Sequence, residues 1–187
     1  MSRTKKLHPL LEAKLREIEH SAEMAFRAIW LSVGVDRAPA GFGILTIIRS
    51  HALTGEILGI DTGHNIVVKL GRISLAHLLA GDSTDNHKVV AMKFGDGSTA
   101  PTVDDTGLSG SLIIQKSTSY DFPDGSTGLK VRFTAVVGSS EGNGSGTQTY
   151  HEACLVKGNG DIFSHKVSGA ITKDNTVVLT AVWTYIF

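Results

Sequence analysis

The chain ends in "TVVLTAVWTYIF" (residues 176–187), and this stretch limits the fold more than any other. As a strand it places Val177, Leu179, Ala181, Trp183, Tyr185 and Phe187 on one face and Val178, Val182 and Ile186 on the other. Both faces are apolar. Such a strand lies in the middle of a sandwich or beneath a covering element. Trp183, Tyr185 and Phe187 are large enough to anchor a core or an interface, because buried aromatics dominate both.

The segments before it repeat the same theme. "KVVAMKF", "SLIIQKS", "TQTYHEACLV" and "IFSHKVS" read as strands, and "LKVRFTAVV" alternates cleanly. In that last run Leu129, Val131, Phe133, Ala135 and Val137 share one face, and Lys130, Arg132 and Thr134 the other. "PDGSTG", "SSEGNGSG", "KGNGD" and "TKDN" supply the turns, with Asn-Gly suited to a tight hairpin. Upstream, "ILTIIRS" and "HNIVVKL" read as two more strands. "GRISLAHLLAGD" carries Ile73, Leu75, Ala76, Leu78 and Leu79 on a helical period and predicts a short helix ending at Gly81. The expected fold is mainly β: an antiparallel β-sandwich body over residues 44–187 with this one internal helix.

Ahead of the body, residues 1–33 form a predicted helical arm and residues 34–43 a Gly/Pro-punctuated linker. Leu11, Leu15, Ile18, Ala22, Ala25 and Ile29 recur at alternating four- and three-residue steps, and Met24, Phe26 and Trp30 widen the stripe. Such an amphipathic arm either packs on its own domain or docks on another subunit. The second reading makes Leu11, Leu15, Ile18, Phe26 and Trp30 interface residues, together with Trp183, Tyr185 and Phe187.

Composition excludes several classes of function. Lys plus Arg and Asp plus Glu both number 18, so no strong field draws nucleic acid or an anionic membrane. Cys154 is the only cysteine, which rules out an internal disulfide framework and a Cys-rich metal site. The N-terminus lacks the apolar stretch of a secretory signal, and no run is long enough to span a membrane.

The segment "MKFGDGSTAPTVDDTGLSG" (residues 92–110) has the look of a site. Its glycines could cradle an anion, but no helix start and no P-loop lysine follow. Asp96, Asp104 and Asp105 could ligate calcium, but their spacing does not match a calcium loop. The expectation is a structural loop: Asp96 and Gly97 turn the chain, Pro101 fixes φ, and Asp104 or Asp105 bonds nearby backbone. "GNGSG" (residues 142–146) lacks the helix a dinucleotide fingerprint needs. His151, Glu152 and Cys154 lie close in sequence, with Glu152 and Cys154 on one strand face, while His51, His64, His77, His87 and His165 are scattered without ligand spacing. Glutamates outside the arm are few, which leaves no evident glycosidase pair. The chain is expected to be no enzyme, with no catalytic residue, cofactor or metal.

"NIVVKLGRISLAHLLAGD", followed by "VVAMKFGDGSTAPTVDDTGL", resembles a pattern of tailed-bacteriophage virion proteins, in which a small helix ending "LLAG" precedes a "GxGxTAPxxxDTxL" loop. The ending "EACLVKGNGDIFSHKV … WTYIF" is similar as well. The resemblance spans residues 65–187. It implies a β-sandwich-like module of a tail fibre or baseplate-associated protein, located in the virion after assembly in the bacterial host cytoplasm. Its implied partners are other virion proteins and further copies of itself around a symmetry axis, with no membrane or nucleic acid. Two alternatives stand beside it: a receptor- or glycan-binding tip module using Tyr120, Phe122 and Tyr150, and a head decoration or connector protein.

Overall fold

The doubly apolar terminal strand, β10 (Val177–Ile186), takes the central place that its two faces demand. A computed structural model of the chain describes residues 9, 12–21, 24, 42–125 and 130–186. In its first sheet β2 (Ile57–His64) pairs with β1 (Phe42–His51), β1 with β10, β10 with β7 (Lys130–Val137), and β7 with β6 (Ser119–Asp121). The second sheet runs β3 (Ile66–Val67), β9 (Ile162–Lys173), β8 (Gln148–Lys157), β4 (Val89–Gly95) and β5 (Leu112–Ser117). Every pairing is antiparallel. The fold is thus mainly β, as expected, and β1 begins inside the segment expected as a linker.

The inner faces of the two sheets meet in one core. Leu45 and Ile47 of β1, Ala135 and Val137 of β7, and Leu179, Ala181, Trp183 and Tyr185 of β10 pack with Met92, Phe94, Tyr150, Leu155, Phe163 and Ile171 from the second sheet. Trp183 and Tyr185, expected as core or interface anchors, are therefore core residues, with Tyr185 meeting Phe163 edge to face. Placing them on an interface is corrected by the strand's register: Trp183 opposes Leu45 and Phe133 in the sheet interior. The hydroxyl of Tyr185 reaches across the layers to Ser164 and accepts a bond from the Asn65 amide at 3.0 Å.

The outer face of the first sheet is covered by helix α1, described at residues 12–21. Leu15 is 1% exposed and packs on Ile48 and Val182 of this chain's own sheet. Ile18 is half-buried and lines a groove of about 430 Å³ between α1 and β2, with Ile44, Thr62 and Gly63. For these two residues the helix docks on its own domain, so Leu15 is not free for a neighbouring subunit. The physical reason lies on the sheet. Arg132 and Thr184 point outward from central strands, and the helix supplies their partners. Leu11, Phe26, Trp30 and Phe187 lie outside the described residues.

Helix α2 (Lys69–Leu79) crosses the outer face of the second sheet. Gly71 is required there, because a Cβ would come 2.1 Å from the Phe163 carbonyl oxygen. The chain leaves α2 through Gly81 at φ +86°, the left-handed turn anticipated at this position. The 157–161 hairpin differs in one detail from expectation: only Gly160 has positive φ, while the Asn159 side chain accepts from the Asp161 N–H. The glycine-rich connection after β7 is tightly turned, with Gly142, Gly144 and Gly146 at positive φ. It is pegged by the buried Lys173 ammonium, which donates to the Ser139 carbonyl and to Asn143 Oδ1.

Candidate functional site

The glycine- and aspartate-dense loop runs from the end of β4 to the start of β5 and folds over the outer face of the second sheet. Beneath it, on β8, lies Glu152, whose side chain is fully buried. A bulge between Tyr150 and Glu152 in the β8–β9 pairing turns Glu152 and Cys154 to this outer side, opposite Tyr150, and a second between Leu155 and Val156 brings His165 onto the same face. Glu152 Oε1 accepts from the Gly97 N–H at 3.0 Å and the Gly110 N–H at 2.8 Å. Its Oε2 accepts from the Ser109 N–H at 2.8 Å and the Ser109 hydroxyl at 2.9 Å. Both ends of the loop are thereby tied to one carboxylate. The approach is close: a Cβ on Gly97 would lie 2.1 Å from Ser109 Oγ, and one on Gly110 would lie 2.4 Å from the Gly97 nitrogen.

His165 extends the network. Its Nε2 lies 2.9 Å from Glu152 Oε2 and its Nδ1 lies 2.6 Å from Asp105 Oδ2. Asp105 also accepts from the Thr102 N–H at 2.9 Å and the Thr102 hydroxyl at 2.6 Å. Asp96 Oδ1 accepts from the Ser111 N–H at 2.6 Å. Pro101 is half-buried between exposed neighbours, and Asp104 is exposed. Burial opposes ionisation of Glu152, yet the Ser109 and Gly110 amides, the Ser109 hydroxyl and His165 outweigh it and hold its pKa below the usual range. For Asp105 burial is likewise overcome by Thr102 and His165, and its pKa is lowered.

These contacts decide what the loop can do. An Asp–His–Glu chain suggests a catalytic relay, but both nitrogens of His165 face carboxylates, which leaves the ring none with which to activate a nucleophile. The nearby Cys154 thiol is fully buried, and burial pushes its pKa well above the ordinary thiol range. Asp96 and Asp105 are bonded to main chain of their own loop. The geometry is that of a clamp.

A second cluster lies at the C-terminal end of α2. His77 Nδ1 is 3.2 Å and His87 Nε2 3.1 Å from the same oxygen, Asp82 Oδ2, and the two imidazoles stack with centroids 4.2 Å apart. The other oxygen of Asp82 accepts from the Thr84 N–H at 3.0 Å, and its pKa is lowered to about 2, chiefly by the Thr84 bonds. His87 Nδ1 is 3.2 Å from the Ser74 hydroxyl. This corrects the expectation that the histidines are scattered. Metal-ligand spacing on a helix or hairpin does not include a five-residue step; here Gly81 reverses the chain and the short 3₁₀ turn Asp85–His87 returns it. The sequence signal was the compact "HLLAGDSTDNH" itself.

The aromatic trio considered for sugar binding is split. Tyr150 is 1% exposed, meets Phe94 edge to face and donates its hydroxyl to the Gly142 carbonyl at 2.6 Å. Burial pushes its pKa up to about 12. It is a core residue, because the glycine-rich connection curls back over its hydroxyl. Tyr120 and Phe122 are 62% and 55% exposed and stack edge to face on the surface. Comparisons of the chain with protein-family models, with curated proteins and with solved structures find no match.

Proposed function

We propose that this chain is a structural component of a tailed-phage virion, a tail, fibre or baseplate-associated assembly protein that is not an enzyme. One observation carries the reading: the segment most like a site is a clamp, with Glu152 and His165 occupied by the loop and its own aspartates. The residues behind the resemblance to phage virion proteins are also framework residues. Asn65 joins β9 and β10, Gly71 lets α2 approach the sheet, and Gly97 and Gly110 let the loop close on Glu152. A pattern that encodes a framework fits a protein whose work is to hold shape within a particle.

Immunogold labelling of intact particles tests this reading. Label on the tail or baseplate is the expected result. Label on the head moves the assignment to a decoration or connector protein, and particles that lack the protein overturn the reading.

A second reading, a glycan-binding tip, is favoured by the exposed Tyr120–Phe122 pair, since sugars stack on accessible aromatic faces. Reproducible binding on a glycan array that is lost in Tyr120→Ala would replace the first reading with this one. Tyr150→Ala is the wrong variant for that purpose, because it opens the core.

A further inference from the structure

We propose that His77, Asp82 and His87 form a binding site for a divalent transition-metal ion of the zinc class, which staples the connection between α2 and β4. The donor set is two imidazole nitrogens and one carboxylate oxygen, the set that zinc takes with a fourth position left to water. Metal–ligand bonds of about 2.0–2.1 Å in a tetrahedron put neighbouring donor atoms about 3.3 Å apart. The two nitrogen-to-oxygen separations here are 3.2 and 3.1 Å, and all three donor atoms lie within 4.8 Å of one another. The two rings stack at 11°, so one must tilt out of the stack to bring both nitrogen lone pairs onto a common ion.

The atoms behind the donors are also in place. Metal-bound histidines are normally held by a partner on the other ring nitrogen. His87 Nδ1 meets Ser74 Oγ, and Ser74 is itself buried and accepts from Lys157 Nζ at 3.1 Å. The Lys157 charge faces Asp161, at 3.3 Å. Asp82 is fixed through its other oxygen by the Thr84 N–H, and its Oδ2 lies within hydrogen-bond distance of both rings. His77, on the last turn of α2, is about half exposed, so solvent reaches the site. A bound ion would cross-link the end of α2, the reversal at Gly81 and the 3₁₀ turn, fixing a segment that also carries the highly exposed Leu79.

The test is calorimetric titration of the chelator-treated full chain with zinc chloride, repeated for His77→Ala and Asp82→Asn. The expected result is one zinc per chain, with affinity reduced at least tenfold in each variant. Zinc should also raise the melting temperature of the wild type and leave that of His77→Ala unchanged. His77 is about half exposed, so His77→Ala is expected to keep the fold, which circular dichroism of the variant checks. Cobalt chloride should give the visible absorption of a low-symmetry site in the wild type only. No saturable uptake at micromolar zinc, or uptake equal in the wild type and both variants, overturns the proposal.

Discussion

Each sheet of this protein turns a polar side chain outward from central strands, and each is covered, but by different means. On the first sheet the cover is α1. Leu15 contributes an apolar contact with Ile48 and Val182, and Arg132 is gripped by Glu19 and Glu12. On the second sheet the cover next to Glu152 is an irregular loop whose hold is chiefly polar: three backbone N–H groups and a hydroxyl converge on that carboxylate. The difference concerns what can be replaced. A buried side-chain ion pair can be exchanged for apolar residues of similar volume at little cost. Backbone N–H groups cannot be mutated away, so a loop built on them needs its acceptor.

The largest effect should come from Glu152→Ala. It leaves the Gly97, Ser109 and Gly110 amides and His165 Nε2 without their partner, and should lower stability by about 3–5 kcal/mol in urea unfolding. Glu152→Gln keeps an acceptor oxygen and should cost distinctly less.

Arg132→Ala should rank next, at about 3 kcal/mol, because it leaves the buried Glu19 carboxylate without its countercharge and, among the described residues, with only the Thr184 hydroxyl as donor. Replacing Arg132 and Glu19 together by methionine should recover most of that loss. A double mutant as unstable as Arg132→Ala would break the contrast between the two covers.

Acid provides the third comparison. Glu152 and Asp105 have folded-state pKa values below their unfolded ones, so their contribution is complete above the unfolded carboxylate range and lost as pH falls through the folded values. Stability should therefore drop as pH falls below about 4. That part of the drop should be absent in Glu152→Gln carrying Asp105→Asn. The smallest effect should be that of Asp104→Ala, within about 0.5 kcal/mol, since the residue is exposed.

Local chemistry made much of this fold legible in the sequence. The central place of β10 followed from its two apolar faces, the end of α2 from Gly81, and the shared face of Glu152 and Cys154 from strand alternation. The bonds of Asp96 and Asp105 to main chain of the loop were also readable, because Asp in turn contexts has backbone to satisfy. What could not be read were partners set by register and topology. Glu152 and His165 meet only because a bulge aligns β8 with β9, and Arg132 finds Glu19 across more than a hundred residues. The same limit misplaced Tyr150 as a surface aromatic and hid the approach of His77, Asp82 and His87. Periodicity reports which face a residue occupies and is silent on what lies opposite.

Amide hydrogen exchange at Gly97, Ser109 and Gly110 tests the clamp most directly. The account predicts protection close to that of the neighbouring β8 strand, abolished in Glu152→Ala while the amides of β1 and β10 stay protected. Exchange at the rate of an open loop in the wild-type protein, or protection that appears only on adding a metal ion or ligand, would contradict it.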